Sequence, residues 1–326
     1  MENVFALSHA SDIDGVGSAA LVRMKYKVPL SNIFFSEYST EGIDYVNLKL
    51  RPHYKKGIIL FIMDLGVDDW LIGSYKKLLE SVQKGGGKVF WFDHHPWTDK
   101  AIMTLTPKCE KAVIGENTKY CATEITFMEL GLSGAFAKRF KEIVHYSDFN
   151  IKPSDKKGRD LIGHYALSIT SYNALKSRGQ RIKRLRHMVD VISDGKFLDE
   201  RIKRDSMKFN EINERRLHKM LGAMIVREKF AVGFSKIVQS TAGCIAVREK
   251  AARPIGIYIN MNDWKGHIRC ETNDISILAR NLGGGGHPHA SGFMIEPRKF
   301  GYLRTRSQKE KFADYLEENI DNYVEL

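Results

Sequence analysis

Cysteine is scarce in this sequence of 326 residues, which contains only four. Cys109, Cys121, Cys244 and Cys270 form no C-x-x-C pair, so the sequence predicts neither a zinc ribbon nor a dithiol redox motif. Their wide spacing in a chain of this size favours reduced thiols, as in proteins of the cytoplasm. We therefore expect an intracellular protein without disulfide bonds.

Long apolar runs are absent as well. The longest, IILFIM at residues 58–63, is far shorter than the roughly 20 residues that a transmembrane helix needs. The first residues, MENVFALSHASD, lack the basic and apolar segments of a secretory signal. With 43% hydrophobic residues and no low-complexity segment, the sequence indicates a cytoplasmic globular protein of one large or two smaller domains, with no membrane partner.

Acidic residues are fewer than basic residues in this chain. Lysine and arginine number 51 against 39 aspartates and glutamates, which gives a formal net charge of +12. Such an excess favours a polyanionic partner, for example nucleic acid, nucleotides or an anionic surface. It is also compatible with a generally basic proteome or a role in solubility, because net charge alone does not define a binding site.

The first half of the chain alternates short apolar runs with helical patterns. Such alternation indicates right-handed β-α-β units and a parallel sheet. A run such as GIILFIMDL is apolar throughout, which is typical of a strand that is buried on both faces. The predicted strands cover residues 4–8, 33–38, 57–65 and 88–92.

The composition changes after residue 120, where the pattern becomes helical. Residues 176–204 hold ten lysines or arginines against four acidic residues, and their apolar residues repeat at helical spacing. Further strands are predicted at 230–235, 255–260 and 267–272. We therefore expect an α/β fold with a catalytic domain at 1–180, a basic helical linker at 181–227 and a smaller domain at 228–326.

Polar side chains follow three of the predicted strands, at the point where each strand ends. They are His9, Asp12 and Asp14 after the first, Asp64 after the third, and Asp93, His94 and His95 after the fourth. Taken singly, each has an ordinary role in a turn, a helix cap or a loop. The carboxyl ends of parallel strands share one edge of a sheet, where clustered carboxylates repel unless cations neutralise them. The mixture of Asp and His suits a first-row divalent ion such as Mn²⁺.

Four motifs carry a resemblance to a known family. HASDIDG (9–15), MDLG (63–66), DHHP (93–96) and a later Asp resemble, in order, the motifs of the DHH phosphoesterase superfamily. GGGGHPHASGF (283–293) resembles the signature of its DHHA1 companion domain. The resemblance implies a parallel-sheet DHH domain, joined by a helical linker to a smaller α/β DHHA1 domain.

The resemblance also implies a pair of metal ions, most often Mn²⁺ with Mg²⁺ as the other candidate. The first ion would be held by His9, Asp12 and Asp64, and the second by Asp14, Asp64, His94 and Asp148. Asp93 would orient an imidazole, and His95 would contact the substrate phosphate. The spacing from His9 to Asp12 is one residue shorter than in several members. Asp155 and Asp160 are the alternatives to Asp148.

In the carboxyl-terminal part, the resemblance implies a phosphate-binding site. A phosphate could approach main-chain N–H groups closely at Gly284, Gly285 and Gly286, because glycine lacks a Cβ. His287 would donate a hydrogen bond, Arg269 would grip the phosphate, and Asn273 is a further candidate. By themselves, the glycines are also compatible with a flexible turn.

These features together predict a two-metal phosphodiesterase that releases mononucleotides from short RNA or DNA oligonucleotides or dinucleotides. A water molecule activated by both ions would attack phosphorus. The same site is compatible with a cyclic-dinucleotide phosphodiesterase or a nucleotide 3′-phosphatase, whereas the glycine motif disfavours the pyrophosphatase branch. A non-catalytic RNA-binding protein is the alternative of another class, and the resemblance makes a homodimer plausible.

Overall fold

The computed structural model of the protein describes residues 3–115 and 119–324, and the chain divides into two compact units. The first unit is Met1–Ser206 and the second unit is Met207–Leu326. Each has its own sheet covered by helices, so the predicted α/β class is confirmed. Residues 181–206 of the predicted linker lie in the first unit. In the described part of the chain, no helix is long and apolar enough to cross a bilayer.

A five-stranded parallel sheet forms the centre of the first unit, with the strand order β2-β1-β3-β4-β5. Most side chains of β1, β3 and β4 are buried, which explains why these strands read as nearly continuous apolar runs. The strands are β1 (Val4–His9), β2 (Ile33–Ser36), β3 (Ile59–Met63), β4 (Lys88–Asp93) and β5 (Lys111–Ile114).

Helices cover both faces of this sheet because side chains alternate along each strand. In β3, Phe61 packs into one apolar cluster, while Leu60 and Ile62 pack into the other. The Phe61 face is covered by α1 (Ile13–Tyr26), α5 (Ala122–Glu129), α6 (Ala135–Asp148), α7 (Lys156–Asn173) and α8 (Arg178–Ser193). The opposite face is covered by α2 (Thr40–Leu50), α3 (Ile72–Lys84) and α4 (Asp99–Leu105).

The basic segment predicted as one amphipathic helix is divided between two. Helix α8 ends at Ser193 and α9 (Glu200–Leu221) begins after six intervening residues, among which Gly195 has a φ of +79°. Leu185, Val189 and Ile192 of α8 are buried as their spacing predicts. The prediction of helix type was therefore correct, but the prediction of continuity was wrong.

The second unit is built on a mixed six-stranded sheet with the order β10-β11-β9-β8-β7-β6. Its strands are β6 (Ile225–Val226), β7 (Phe230–Ser235), β8 (Ile255–Asn260), β9 (Lys265–Cys270), β10 (Gly285–His287) and β11 (Ala290–Met294). Its helices, besides part of α9, are α10 (Ser240–Ala251), α11 (Ser276–Asn281) and α12 (Arg306–Tyr323). Most of the glycine motif (283–293) is therefore in strands, because β10 and β11 pair as an antiparallel hairpin.

Candidate metal centre

The polar residues predicted at the strand ends of the first unit do lie together. His9 ends β1, Asp93 ends β4, and Asp64 follows β3 directly. Asp64 and Asp93 are at most 1% exposed, and His9 is 7% exposed. Burial of this much charge is costly unless partners compensate for it, so the cluster needs either paired groups or cations.

Asp64 belongs to three groups of donor atoms, and two of these groups contain only predicted metal ligands. His9, Asp12 and Asp64 make one group, and Asp14, Asp64 and His94 make the other, with donor atoms within 4.8 Å of one another in each group. His9 Nδ1 lies 3.2 Å from Asp12 Oδ2 and 3.4 Å from Asp64 Oδ2. His94 Nε2 lies 3.6 Å from both Asp14 Oδ2 and Asp64 Oδ1. Each group could hold a divalent ion, and Asp64 is common to both.

Helix α6 brings Asp148 to the same cluster. Asp148 Oδ2 lies 3.7 Å from His94 Nδ1. The two alternatives considered from the sequence have other roles: Asp155 caps α7 by accepting a hydrogen bond from Gly158 N, and Asp160 pairs with Lys156 at the surface. Among these three aspartates, Asp148 is the one that the fold delivers to the cluster.

The amino terminus of α5 fixes the position of Asp14. Its two carboxylate oxygens accept hydrogen bonds from the N–H groups of Ala122 (2.8 Å) and Thr123 (2.7 Å). Free N–H groups and the positive end of the helix dipole stabilise a carboxylate at such a place. Asp14 therefore keeps one defined orientation toward His94.

Asp64 adopts a backbone conformation that is unusual for a residue with a side chain. Its φ is +54°, in the left-handed region, where Asp is one of the more tolerant residue types. Its N–H donates to the carbonyl of Phe92 in the neighbouring strand, which holds the turn in place. Strained residues of this kind concentrate at functional sites, where the surrounding structure maintains them.

Several buried atoms of the cluster make no hydrogen bond in the described structure. They are His9 Nδ1, Asp64 Oδ2 and Asp148 Oδ2. Among the described residues, the ion pairs of Asp64 and Asp148 are all with histidines, not with Lys or Arg. Buried polar atoms that make no hydrogen bond are rare and call for an explanation, and divalent cations would supply one.

Burial and neighbouring charges displace several pKa values in the cluster from their usual range. Burial, and next the charge of Asp64, raises the pKa of Asp14 to about 6. Burial likewise raises the pKa of Asp148 well above its usual range. Burial lowers the pKa of His9, but nearby carboxylates, Asp12 first, raise it well above its usual value overall. A divalent ion would compete with protons for these groups.

Asp93 orients His95. Its Oδ1 is hydrogen-bonded to His95 Nδ1 at 2.8 Å, and its Oδ2 accepts from Trp97 Nε1 at 2.7 Å. Although burial opposes ionisation, the charge of His95 keeps the pKa of Asp93 below its usual value. Since both Asp93 oxygens have partners, Asp93 is suited to positioning the imidazole. His95 Nε2 then lies 3.3 Å from Tyr38 Oη, so it is accessible to a polar group.

Two residues at the end of β2 were missed in the sequence. Glu37 Oε2 lies 3.5 Å from His9 Nε2, and the Tyr38 ring lies 4.8 Å from the His9 ring, centroid to centroid. The rule that identified the other strand ends also applies to the strand IFFSEY, so it could have identified Glu37 and Tyr38.

The candidates in the second unit lie on and beside the hairpin. Ala290 pairs with Arg269 of β9 on one side and with His287 of β10 on the other, so these side chains share one face of the sheet. Arg269 donates to Thr241 Oγ1 at 3.1 Å, which orients its guanidinium. Asn273 lies beyond the end of β9, where its side chain accepts a hydrogen bond from Thr272.

The hairpin itself requires two of the three predicted glycines. A Cβ at Gly284 would lie 2.0 Å from the carbonyl oxygen of Gly292. Gly286 has a φ of +135°, and a Cβ there would lie 2.7 Å from the Ala290 oxygen. A Cβ at Gly285 would meet nothing within 4 Å. Backbone packing therefore explains Gly284 and Gly286, while Gly285 leaves open space above the strand.

Neither a protein-family model nor a curated protein sequence matches this chain. Solved structures do match it. The pGpG-specific phosphodiesterase PggH from Vibrio cholerae has a TM-score of 0.54 at 13% identity, over 97% of this chain and 99% of its own. RecJ from Thermus thermophilus, in complex with Mn²⁺, has a TM-score of 0.51 at 14% identity, over 94% of this chain. The chain shares its fold with these two proteins.

The match confirms the two-domain α/β fold that the resemblance implied. The DHH fold is common to PggH and RecJ, although this chain spans only about half (51%) of the RecJ chain. In the first unit of the DHH fold, the cluster around Asp64 lies at the carboxyl ends of the parallel strands. Ligands of open α/β sheets bind at that edge.

Proposed function

We propose that this protein is a metal-dependent phosphodiesterase that hydrolyses short oligonucleotides or dinucleotides. The observation that carries the proposal is the pair of donor groups that share Asp64, with buried oxygens of Asp64 and Asp148 that make no hydrogen bond. Oxygen-rich donor sets with some imidazole suit Mn²⁺, and RecJ, which has the same fold, was solved with Mn²⁺.

The proposed ligand roles follow the two groups of donor atoms. One ion would be held by His9, Asp12 and Asp64, and the other by Asp14, Asp64 and His94, with Asp148, which lies beside His94 Nδ1, as a further proposed ligand. A pair of divalent ions supplies positive charge for the reacting phosphate and lowers the pKa of water. The α5 N–H groups keep Asp14 in place, and the left-handed turn at Asp64 directs its carboxylate between the groups.

His95 is proposed to contact the substrate phosphate directly. Asp93 holds the imidazole through Nδ1, so Nε2 remains directed toward Tyr38 Oη and can donate to a phosphate oxygen. The neighbouring carboxylates raise the pKa of His95 against the effect of burial, Asp93 first among them. A protonated imidazole at this point would stabilise negative charge on the phosphate.

Three observations support a nucleotide substrate. The formal net charge of +12 favours a polyanion. Arg269 and His287 share a face of the second unit above the open space at Gly285, where they can bind phosphate. PggH, which has the same fold over almost all of this chain, acts on pGpG, a dinucleotide. We propose short RNA or DNA oligonucleotides and linear dinucleotides as substrates, with release of mononucleotides.

The experiment is an assay of labelled RNA and DNA di-, tri- and pentanucleotides and a cyclic dinucleotide, with Mn²⁺, with Mg²⁺ and with chelator. We expect Mn²⁺-dependent release of mononucleotides from the linear substrates. Cleavage of the cyclic dinucleotide alone would replace the proposed substrate class. Binding that weakens steeply with salt, without any cleavage, would instead support a non-catalytic nucleic-acid-binding protein.

A further inference from the structure

A second polar site lies beside the metal cluster, entirely within the first unit. It is a pocket of about 280 Å³ between the start of α2 and the segment that leads into α8. This volume is at the low end for small-molecule sites, so it suits one phosphate with its sugar better than a long strand. The charged side chains that line it are Glu37, Glu41, Lys176, Arg178 and Arg181.

Glu37 connects this pocket with the cluster. Its Oε2 accepts a hydrogen bond from Ser11 (2.6 Å) and lies 3.5 Å from His9 Nε2. Its Oε1 lies 3.5 Å from a terminal nitrogen of Arg181. One carboxylate therefore separates the guanidinium of Arg181 from a proposed metal ligand, so the pocket lies directly beside the cluster.

The basic residues of segment 176–204 have different roles. Arg184 pairs with Asp205 at 2.8 Å, and Arg186 donates to the carbonyl oxygen of Ile33 at 2.7 Å, so these two stabilise the fold. Lys176, Arg178 and Arg181, at the start of the run, instead line the pocket. Lys176 and Arg178 are exposed there, and the Arg181 side chain is 23% exposed.

We propose that this pocket is a second phosphate subsite, which binds the terminal phosphate monoester of a nucleotide whose phosphodiester lies at the metals. The inference rests on the proposed function and extends it to the end group of the substrate. Arg181 is suited to this role because the guanidinium fork matches phosphate in a bidentate manner, and its contact with Glu37 is long enough for a phosphate to replace it. Lys176 adds positive charge at the opening.

The test compares dinucleotides with a 5′-phosphate, with a 3′-phosphate and with neither. The measured quantity is the ratio of kcat/KM for each phosphorylated form to that for the unphosphorylated one. We expect the wild type to prefer one phosphorylated form by about tenfold or more, the range of a charged hydrogen bond. Arg181→Ala and Lys176→Ala each lower this ratio, Arg181→Ala by most of it, and Arg181→Lys by less, because a lysine keeps the charge but not the fork.

Lys183→Ala is the matched control, since Lys183 lies on the same helix, is exposed and does not line the pocket. Lys183→Ala also removes one positive charge. If the preference for the phosphorylated dinucleotide falls equally in Lys183→Ala and Arg181→Ala, general electrostatic attraction explains it and the subsite is rejected. An unchanged ratio in both Arg181→Ala and Lys176→Ala overturns it as well. Because Lys176 is exposed, its variant keeps the test valid if Arg181→Ala fails to fold.

A binding measurement separates this inference from the proposed function. In an Asp64→Asn background, where turnover is expected to stop, calorimetry gives the dissociation constants of the same three dinucleotides with and without Arg181→Ala. A preference for a phosphorylated form that depends on Arg181 supports the subsite even if the wild type hydrolyses nothing. Hydrolysis by the wild type without any such preference supports the enzyme and rejects the subsite.

Discussion

The strand ends of the first unit and the glycine hairpin of the second unit both carry sequence motifs, but the fold explains them to different degrees. Around Asp64, residues depart from what a stable fold prefers: the backbone is left-handed and a buried oxygen makes no hydrogen bond. In the hairpin, the backbone itself requires Gly284 and Gly286. A motif that costs stability is better evidence of function than one that the fold needs anyway.

The largest effect is expected from Asp64→Asn. Loss of the shared ligand should lower Mn²⁺-dependent hydrolysis about 10³-fold, the scale on which a pre-organised electrostatic group contributes to catalysis. Asn tolerates the left-handed conformation, and the substitution removes repulsion with Asp14, so metal-free stability should be equal or higher. Activity and the Tm with and without Mn²⁺ measure the two effects.

The wild type should gain Tm with Mn²⁺, because a ligand that binds only the folded state stabilises it. The Asp64→Asn variant should lose most of this gain. If Asp64→Asn remained active, or if it unfolded in the absence of metal, Asp64 would be a structural residue, and the contrast between the two regions would disappear.

A smaller effect is expected from Asp148→Ala, with Asp155→Ala as its matched control. Asp148 should change function: we expect a 10- to 100-fold higher Mn²⁺ requirement, the range seen when support of a metal site is removed. Asp155 should change stability, since loss of the α7 cap costs about 1 kcal/mol. Mn²⁺ titrations of activity and urea unfolding of both variants distinguish the two roles. If Asp155→Ala raised the Mn²⁺ requirement and Asp148→Ala only lowered stability, the proposed ligand would be the wrong aspartate.

The sequence was informative where the signal was local. The strands of the first unit follow from apolar runs, and His9, Asp64 and Asp93 follow from the position directly after or at the end of a strand. The confirmed α/β class rests on that same alternation. Choosing Asp148 over Asp155 was harder, because only the packing of α6 brings one of them to the cluster.

Other elements left little local signal. Helix α10 was not predicted, because its buried positions include Gly243 and Cys244, small residues that give a weak apolar pattern. A Cβ on Gly243 would lie 3.1 Å from the Tyr258 ring, so close packing replaces large apolar side chains there. Within the glycine motif, β10 pairs with β11 in a hairpin, and no single residue predicts its register.

The pH dependence of metal binding sharpens the description of the strand ends. The pKa of Asp14 lies at about 6, raised first by burial and then by Asp64, so Asp14 is largely protonated at pH 5 and ionised at pH 7.5. Since a ligand must lose its proton, the Mn²⁺ affinity should fall, by about tenfold per pH unit below pH 6 from this group alone. Calorimetry at both pH values, in buffers of different ionisation enthalpy, measures affinity and released protons. An affinity that stays constant between these values would exclude Asp14 as a ligand.

The smallest effects come from the hairpin, where Gly285→Ala and Gly286→Ala separate function from fold. At Gly286 the φ of +135° and the nearby Ala290 oxygen should cost Gly286→Ala about 1–3 kcal/mol of stability, measured by urea unfolding. At Gly285 the added methyl meets open space, so stability should change little. If phosphate approaches the hairpin there, Gly285→Ala should raise KM a few-fold without lowering kcat. An unchanged KM would mean that the glycines serve the hairpin alone, and any phosphate contact in the second unit would then depend on the side chains of Arg269 and His287.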